Sequence, residues 1–187
     1  MKLTILTFFI FFISISWGQR EFSQLDSSVA RDGLVYYRLE VGVLKGRKRI
    51  GKWTVHQYNS KNSKPRLAAQ MTYEKGFIRS QSIIRLDSEI RRTFSGKGKK
   101  ETEIQFRYGK QIWSRKYLSP TKTNKKTYYP DGKVSGEGEE QLMVITGGCD
   151  SGMKVFVQVG VWKYYDSSGK LMDEQEMEFN KNIYKKA

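Results

Sequence analysis

The chain has 187 residues, 38% of them apolar and 13% aromatic, with 11 Tyr, 10 Phe and 4 Trp. That length suits one domain behind a short leader, and the rings supply core area without many aliphatics, which excludes disordered and collagen-like chains. The formal charge is +15, from 34 Lys+Arg against 19 Asp+Glu, and a field of that sign favours anionic partners.

Residues 1–18 read as a cleaved export signal. Met1-Lys2 gives a positive start, Leu3 to Ile13 is apolar apart from Thr4 and Thr7, and the small residues Ser16 and Gly18 place cleavage before Gln19. As a helix, Leu3 to Trp17 would measure about 22 Å at about 1.5 Å per residue, short of a bilayer core of about 30 Å. No cysteine follows the apolar run to carry a lipid. The expected location is therefore periplasmic, associated with the outer envelope, or secreted.

Residues 19–187 read as one all-β domain, an antiparallel β-hairpin meander of about ten strands, because apolar residues alternate with period two. Val35, Tyr37, Leu39, Val41 and Val43 share one face, with Arg38 and Glu40 on the other. Leu67, Ala69, Met71 and Tyr73 repeat the pattern, as do Ile104, Phe106 and Tyr108, and later Val155, Val157, Val159 and Val161. The breaks are turn chemistry: Glu74-Lys75-Gly76, Ser95-Gly96-Lys97-Gly98, Tyr108-Gly109-Lys110, Pro130-Asp131-Gly132 and Ser167-Ser168-Gly169. Asp131-Gly132 is the strongest hairpin signal among them. Asn59 to Lys64 and Ser119 to Lys126 read as polar loops, and Pro65, Pro120 and Pro130 all fall in loops.

The chain echoes itself. Tyr128-Tyr129-Pro130-Asp131-Gly132-Lys133-Val134 returns as Tyr164-Tyr165-Asp166-Ser167-Ser168-Gly169-Lys170-Leu171, and Gly51-Lys52-Trp53 returns as Gly160-Val161-Trp162. The unit is Gly-x-Trp, an aromatic strand, a Gly-Lys turn and a strand bearing Glu. One hairpin cannot bury its own apolar face, so such units must stack. The glycine before each Trp is expected to clear space for a neighbouring ring. This unit resembles the variant MORN repeat of bacterial exported proteins, best over Tyr128 to Asn182 and more loosely over Gly51 to Gly76. The residues that carry the resemblance are Gly51, Trp53, Gly132, Gly160, Trp162, Tyr164 and Gly169. It implies a β-meander that binds or scaffolds, with protein contacts or phospholipid surfaces as its partners.

Residues suited to catalysis are sparse. His56 is the only histidine and Cys149 the only cysteine. His-based metal sites and a Ser-His-acid triad both rest on His56 alone, which reads as a structural histidine facing solvent. A lone cysteine in an exported chain forms no internal disulfide, and Cys149 is expected to be buried or inert. Gly147 to Lys154 has the glycines of a phosphate loop, but Met153 takes the lysine position. Glu137 with Glu139, and Glu174 with Glu176 and Glu178, share strand faces. In so basic a chain they are expected to neutralise lysines on neighbouring strands. No catalytic, metal or cofactor residues are assigned.

Cations cluster in the turns: Lys45, Arg47, Lys48 and Arg49; Lys97, Lys99 and Lys100; and Lys122 with Lys125 and Lys126. The first two groups are the candidate contacts for an anionic ligand, since basic residues beside aromatic ones suit lipid head groups. Nucleic acid is disfavoured because an exported protein rarely meets it. The expected function is a non-enzymatic exported or envelope-associated binding or scaffold protein. It would contact a protein partner or an anionic lipid or glycan surface, including peripheral contact with a membrane. The alternative is a hydrolase of cell-wall or glycan substrates.

Overall fold

A computed structural model describes residues 19–29, 35–58 and 64–187; the expected leader and residues 59–63 of the first loop lie outside the described residues. The protein is all-β, with thirteen strands among the described residues and every pairing antiparallel. It packs as two compact units, residues 19–84 with 96–98, and residues 85–95 with 99–187.

In the first unit β1 (Arg20–Val29), β2 (Val35–Lys45), β3 (Lys48–Tyr58), β4 (Arg66–Glu74) and β5 (Phe77–Ile84) pair in chain order. Its core is Leu44, Trp53, Val55 and Met71, with Phe22, Ala69, Tyr73 and Ile78 packed against it. Ala69, Met71 and Tyr73, three of the four residues expected on one face of β4, thus pack here.

From Glu40 to Leu44 the burial on β2 is the reverse of what alternation suggests, although Arg38 is exposed as expected. Glu40, Gly42 and Leu44 face inward, while Val41 is 38% exposed. The cause is Trp53, fully buried at 0% exposure. Its indole lies over the backbone of Gly42, where a Cβ would fall inside the ring. Register follows from this: Val41 faces Thr54 and Val43 faces Ile50, so Gly42 alone opposes the three residues Gly51–Trp53. Extra residues on one strand make a bulge, and Gly51 absorbs it at φ 64°.

The second unit runs β6 (Ser88–Phe94), β7 (Lys100–Arg107), β8 (Lys110–Tyr117), β9 (Lys122–Tyr128), β10 (Val134–Ile145), β11 (Lys154–Tyr165) and β12 (Leu171–Met177), again paired in chain order. The same device recurs here. Trp162 is 1% exposed, and a Cβ on Gly138 would stand 2.6 Å from its ring. Gly138 opposes Gly160–Trp162, and Gly160 also sits at φ 64°.

The glycines expected to clear the rings, Gly51 and Gly160, have nothing within 4 Å of where a Cβ would be. They turn the backbone, and the clearance comes from Gly42 and Gly138 on the opposite strand. The indole N–H groups are satisfied, Trp53 donating to the Ile50 carbonyl at 3.1 Å and Trp162 to the Glu139 carbonyl at 2.9 Å. Tyr164 extends the second cluster, its ring centroid 6.4 Å from that of Trp162.

Two turn types recur between the strands. Lys75-Gly76 and Tyr108-Gly109 have positive φ at both residues, the type I′ geometry of tight hairpins. The second type spans five residues and ends in lysine: Tyr129 donates its N–H to Lys133 at 2.9 Å, Asp166 to Lys170 at 2.9 Å, and Ser95 to Lys99 at 2.8 Å. Gly132, Gly169 and Gly98 precede those lysines with positive φ. Asp131-Gly132 is therefore not a two-residue hairpin. Pro130 favours the first central position of a type I turn, which leaves only Gly132 left-handed.

The chain does not stop at β12. β13 (Tyr184–Lys186) returns to β10 beside Met143–Ile145, on the edge that β9 occupies further along. Thr146 N–H donates to Ile183 and Ala187 N–H to Leu142, fastening this return strand at both ends.

Gly138→Ala is expected to cost about 2–3 kcal/mol, the upper part of the span of about 1–3 kcal/mol for forcing atoms into packed space, because the Trp162 ring is held between strands. Gly160→Ala meets no neighbour and costs about 1 kcal/mol, the strain of a left-handed residue. Urea denaturation of the two variants checks the order.

Candidate functional site

The first group of cations sits on the β2–β3 hairpin. Gly46, at φ 60°, opens a two-residue turn with Arg47, and Lys45 faces Lys48 directly across it. Lys45, Arg47 and Lys48 are exposed. The stem of Lys48 lies against the β4–β5 turn, its side chain 3.2 Å from where a Cβ on Gly76 would be.

Arg49 is placed differently from its neighbours. Its guanidinium pairs with the buried Glu40 at 2.5 Å and donates to the Tyr73 hydroxyl at 3.3 Å. It also lies 4.3 Å over the Trp53 ring. Arg49 therefore anchors the hairpin to the core, and the three outer cations ride on that anchor.

The second group divides in a similar way. Lys97 and Lys99 are exposed in the β6–β7 turn. Lys100 is half-buried, 3.5 Å from Glu103 and 3.2 Å from the Tyr117 hydroxyl, with its ammonium 4.9 Å over the Tyr117 ring.

Behind Lys100 lies a charge ladder that no motif announces. Arg92, Glu103 and Arg115 stand opposite one another on β6, β7 and β8. Glu103 takes Arg92 at 2.5 Å and Arg115 at 3.5 Å. Arg115 then reaches Glu140 on β10 at 2.5 Å, and Lys125 on β9 completes the ladder at 3.1 Å. Glu103 is 6% exposed and Glu140 only 2%. Thr123, fully buried between β8 and β10, adds a hydroxyl 3.3 Å from Glu140. The expected surface pairs are present as well: Glu137 with Lys126 at 2.7 Å, Glu139 with Lys122 at 3.6 Å, and Glu174 with Lys163 at 3.3 Å.

Burial alone would raise the Glu103 pKa. The hydrogen bond from Arg92 and the charges of Arg92, Lys100 and Arg115 outweigh it and hold the carboxyl below its ordinary value. Glu137 is lowered too, by hydrogen bonds from Lys126 and Tyr165.

Over one end of the ladder opens a groove of about 720 Å³. The turns after β6 and β8 form its lips, and Tyr117, Leu118, Leu142 and Phe156 line its floor. Tyr117 and Phe156 meet edge to face at 6.0 Å, and the Arg115 guanidinium lies 5.0 Å from the Phe156 ring centroid. The ladder thus borders the groove floor, with Arg115 against Phe156.

His56 is half-buried on β3, with Leu39 and Leu67 as its register partners. Cys149 is exposed in the loop between β10 and β11 rather than buried. Its loop, residues 146–153, is held by backbone bonds, among them Thr146 N–H to Ile183 and Gly152 N–H to Ile145. His56 and Cys149 belong to different compact units. Among the described residues no three His, Cys, Asp or Glu side chains gather as a metal site.

Removing one partner of a buried ion pair strands the other, so Glu140→Gln is expected to cost about 3–5 kcal/mol, whereas Glu139→Gln on the surface stays within about 0.5 kcal/mol. Denaturant midpoints separate the two. Because the folded pKa of Glu103 lies below its unfolded value, its contribution to stability is full above the unfolded pKa of about 4.3 and is lost as pH falls through the folded value. Stability measured from pH 6 down to 2 should therefore fall less steeply in Glu103→Gln than in the unaltered protein.

Set against models of protein families and against curated proteins, the chain matches none.

Proposed function

We propose that this is a non-enzymatic, exported or envelope-associated binding protein that contacts an anionic surface, lipid head groups or acidic glycan, through the β2–β3 hairpin. One observation carries the reading. Lys45 and Lys48 face each other directly, with Arg47 between them, and all three are exposed. Like charges opposed across a strand pair are destabilising, so an arrangement held in place by Arg49, Glu40 and Trp53 makes sense for an external anion. A rigid base also lowers the entropy lost on binding. The variant MORN resemblance, with its links to phospholipid surfaces and protein contacts, agrees with binding rather than turnover.

Co-sedimentation with neutral phospholipid vesicles, with vesicles containing anionic lipid, and with an immobilised acidic polysaccharide tests this and separates the two anion sources. Binding to an anionic arm should fade as salt rises, since the screening length shrinks from about 10 Å at 0.1 M to about 3 Å at 1 M. At about 1 kcal/mol for each cation near an anionic surface, replacing Lys45, Arg47 and Lys48 together by Ser should weaken binding on the order of 100-fold. Retention that ignores both salt and the triple substitution would sink the reading.

A further inference from the structure

The groove of the second unit is a separate feature from the basic hairpin, and its lining has a chemistry of its own. We infer that it binds a single-chain anionic amphiphile of the fatty-acid class, the hydrocarbon chain lying on Tyr117, Leu118, Leu142 and Phe156 and the head group meeting Lys99 and Lys100.

Three observations carry this. The first is size: about 720 Å³ falls inside the range of about 300–1,000 Å³ typical of small-molecule sites. The second is the apolar floor, flanked by hydroxyls that already accept hydrogen bonds. Ser95 Oγ accepts the Lys99 N–H at 3.2 Å. Ser119 Oγ accepts the N–H groups of Thr121 at 3.2 Å and Lys122 at 3.0 Å. The Tyr117 hydroxyl accepts from Lys100. Each of these oxygens is already engaged as an acceptor, and the Leu118, Leu142 and Phe156 side chains of the floor have no polar atom to pair with a sugar hydroxyl, whereas a hydrocarbon chain needs none.

The third observation is charge. Lys99 and Lys100 lie side by side at one lip, with Glu101 the sole carboxylate in the lining. Lys99 is exposed. Lys100 is steered by the Tyr117 ring and hydroxyl, with Glu103 at 3.5 Å, so its ammonium is positioned at the groove. The balance of charge favours an anionic head at the lysine lip and a neutral tail beyond it.

The floor is also preorganised. Tyr117 and Phe156 are set edge to face, and the Arg115 beside Phe156 is fixed by Glu140 through two hydrogen bonds of 2.5 and 3.2 Å. A ligand would find the aromatic surface already formed.

The test is displacement of dansyl-undecanoate from the purified protein by palmitate, laurate and hexadecanol. Palmitate should compete best. Hexadecanol should be weaker by about tenfold or more through loss of the charge-assisted contact. Laurate should be weaker by up to about 100-fold, since each pair of buried methylenes is worth about a factor of ten. Leu142→Trp, which fills the groove, should abolish competition. The surface change Lys99→Gln, which leaves the floor intact, should weaken palmitate about tenfold while leaving hexadecanol unchanged.

Equal affinity for palmitate and hexadecanol, or palmitate binding unaltered in Lys99→Gln, overturns the inference, and both readouts stand even if Leu142→Trp fails to fold. The variant lacking Lys45, Arg47 and Lys48 should bind palmitate normally, and Leu142→Trp should sediment with anionic vesicles normally. The failure of either proposal is therefore visible without the other.

Discussion

Each unit of this protein is organised around an indole lying flat on the backbone of a glycine in the neighbouring strand. A tryptophan buries on the order of 200 Å², an upper value of about 5 kcal/mol at about 25 cal/mol per Å². In a fold with only six buried apolar side chains among the described residues, two such rings are a large share of the cohesion. The ring must also be admitted. Gly42 and Gly138 make room, and Gly51 and Gly160 turn the chain so that three residues can oppose one. The two bulges share the same register and the same φ, which makes the internal repeat a shared geometry as well as a shared string of letters.

Charge takes the place that aliphatic packing holds in larger cores. Around Trp53 the buried Glu40 is answered by Arg49, which stacks on the ring it helps to cover. In the second unit Glu103 and Glu140 knit β6 through β10 by way of Arg92, Arg115 and Lys125. Every described buried side-chain nitrogen and oxygen has a hydrogen-bond partner, the condition under which buried polar networks specify a structure rather than weaken it. The formal charge of the chain thus divides into cations that hold strands together and cations that face outward, and Arg49 and Arg47, two residues apart, fall on opposite sides of that division.

Much of the fold was legible because β-structure writes itself locally. Alternation located β4, and glycine turns located most hairpins. Alternation misled where a ring, a charge or a turn overrode it: the inward face of β2 at Glu40 is set by Trp53, Val161 is exposed beside the buried Trp162, and Tyr108 is exposed in the turn after β7 while Glu103 is covered. The repeat was visible in Gly-x-Trp, yet the glycine that receives each ring precedes the motif by nine residues in one unit and twenty-two in the other, a spacing fixed by hairpin length and not by any motif. A third copy of the Gly-Lys turn, Gly98-Lys99, is hidden in the sequence because Thr93-Phe94 precedes it and the Tyr-Tyr pair of the other two is missing, although the same bond from the first residue to the lysine closes it. The ladder could not be read at all. Glu103 and Glu140 look like any other strand acids until register sets arginines beside them.

Within each unit, from β1 to β5 and from β6 to β12, each strand pairs with the one before it in the chain. Such contacts are local in sequence, and local contacts close quickly. A chain delivered from its N-terminus can therefore lay down these hairpins as they arrive, each new strand finding its template already in place. β13 breaks that order, since its partner β10 precedes it by about forty residues. It is the one strand of the second unit that must reach back past a neighbour, and the edge of β10 at Met143–Ile145 stays open until it does.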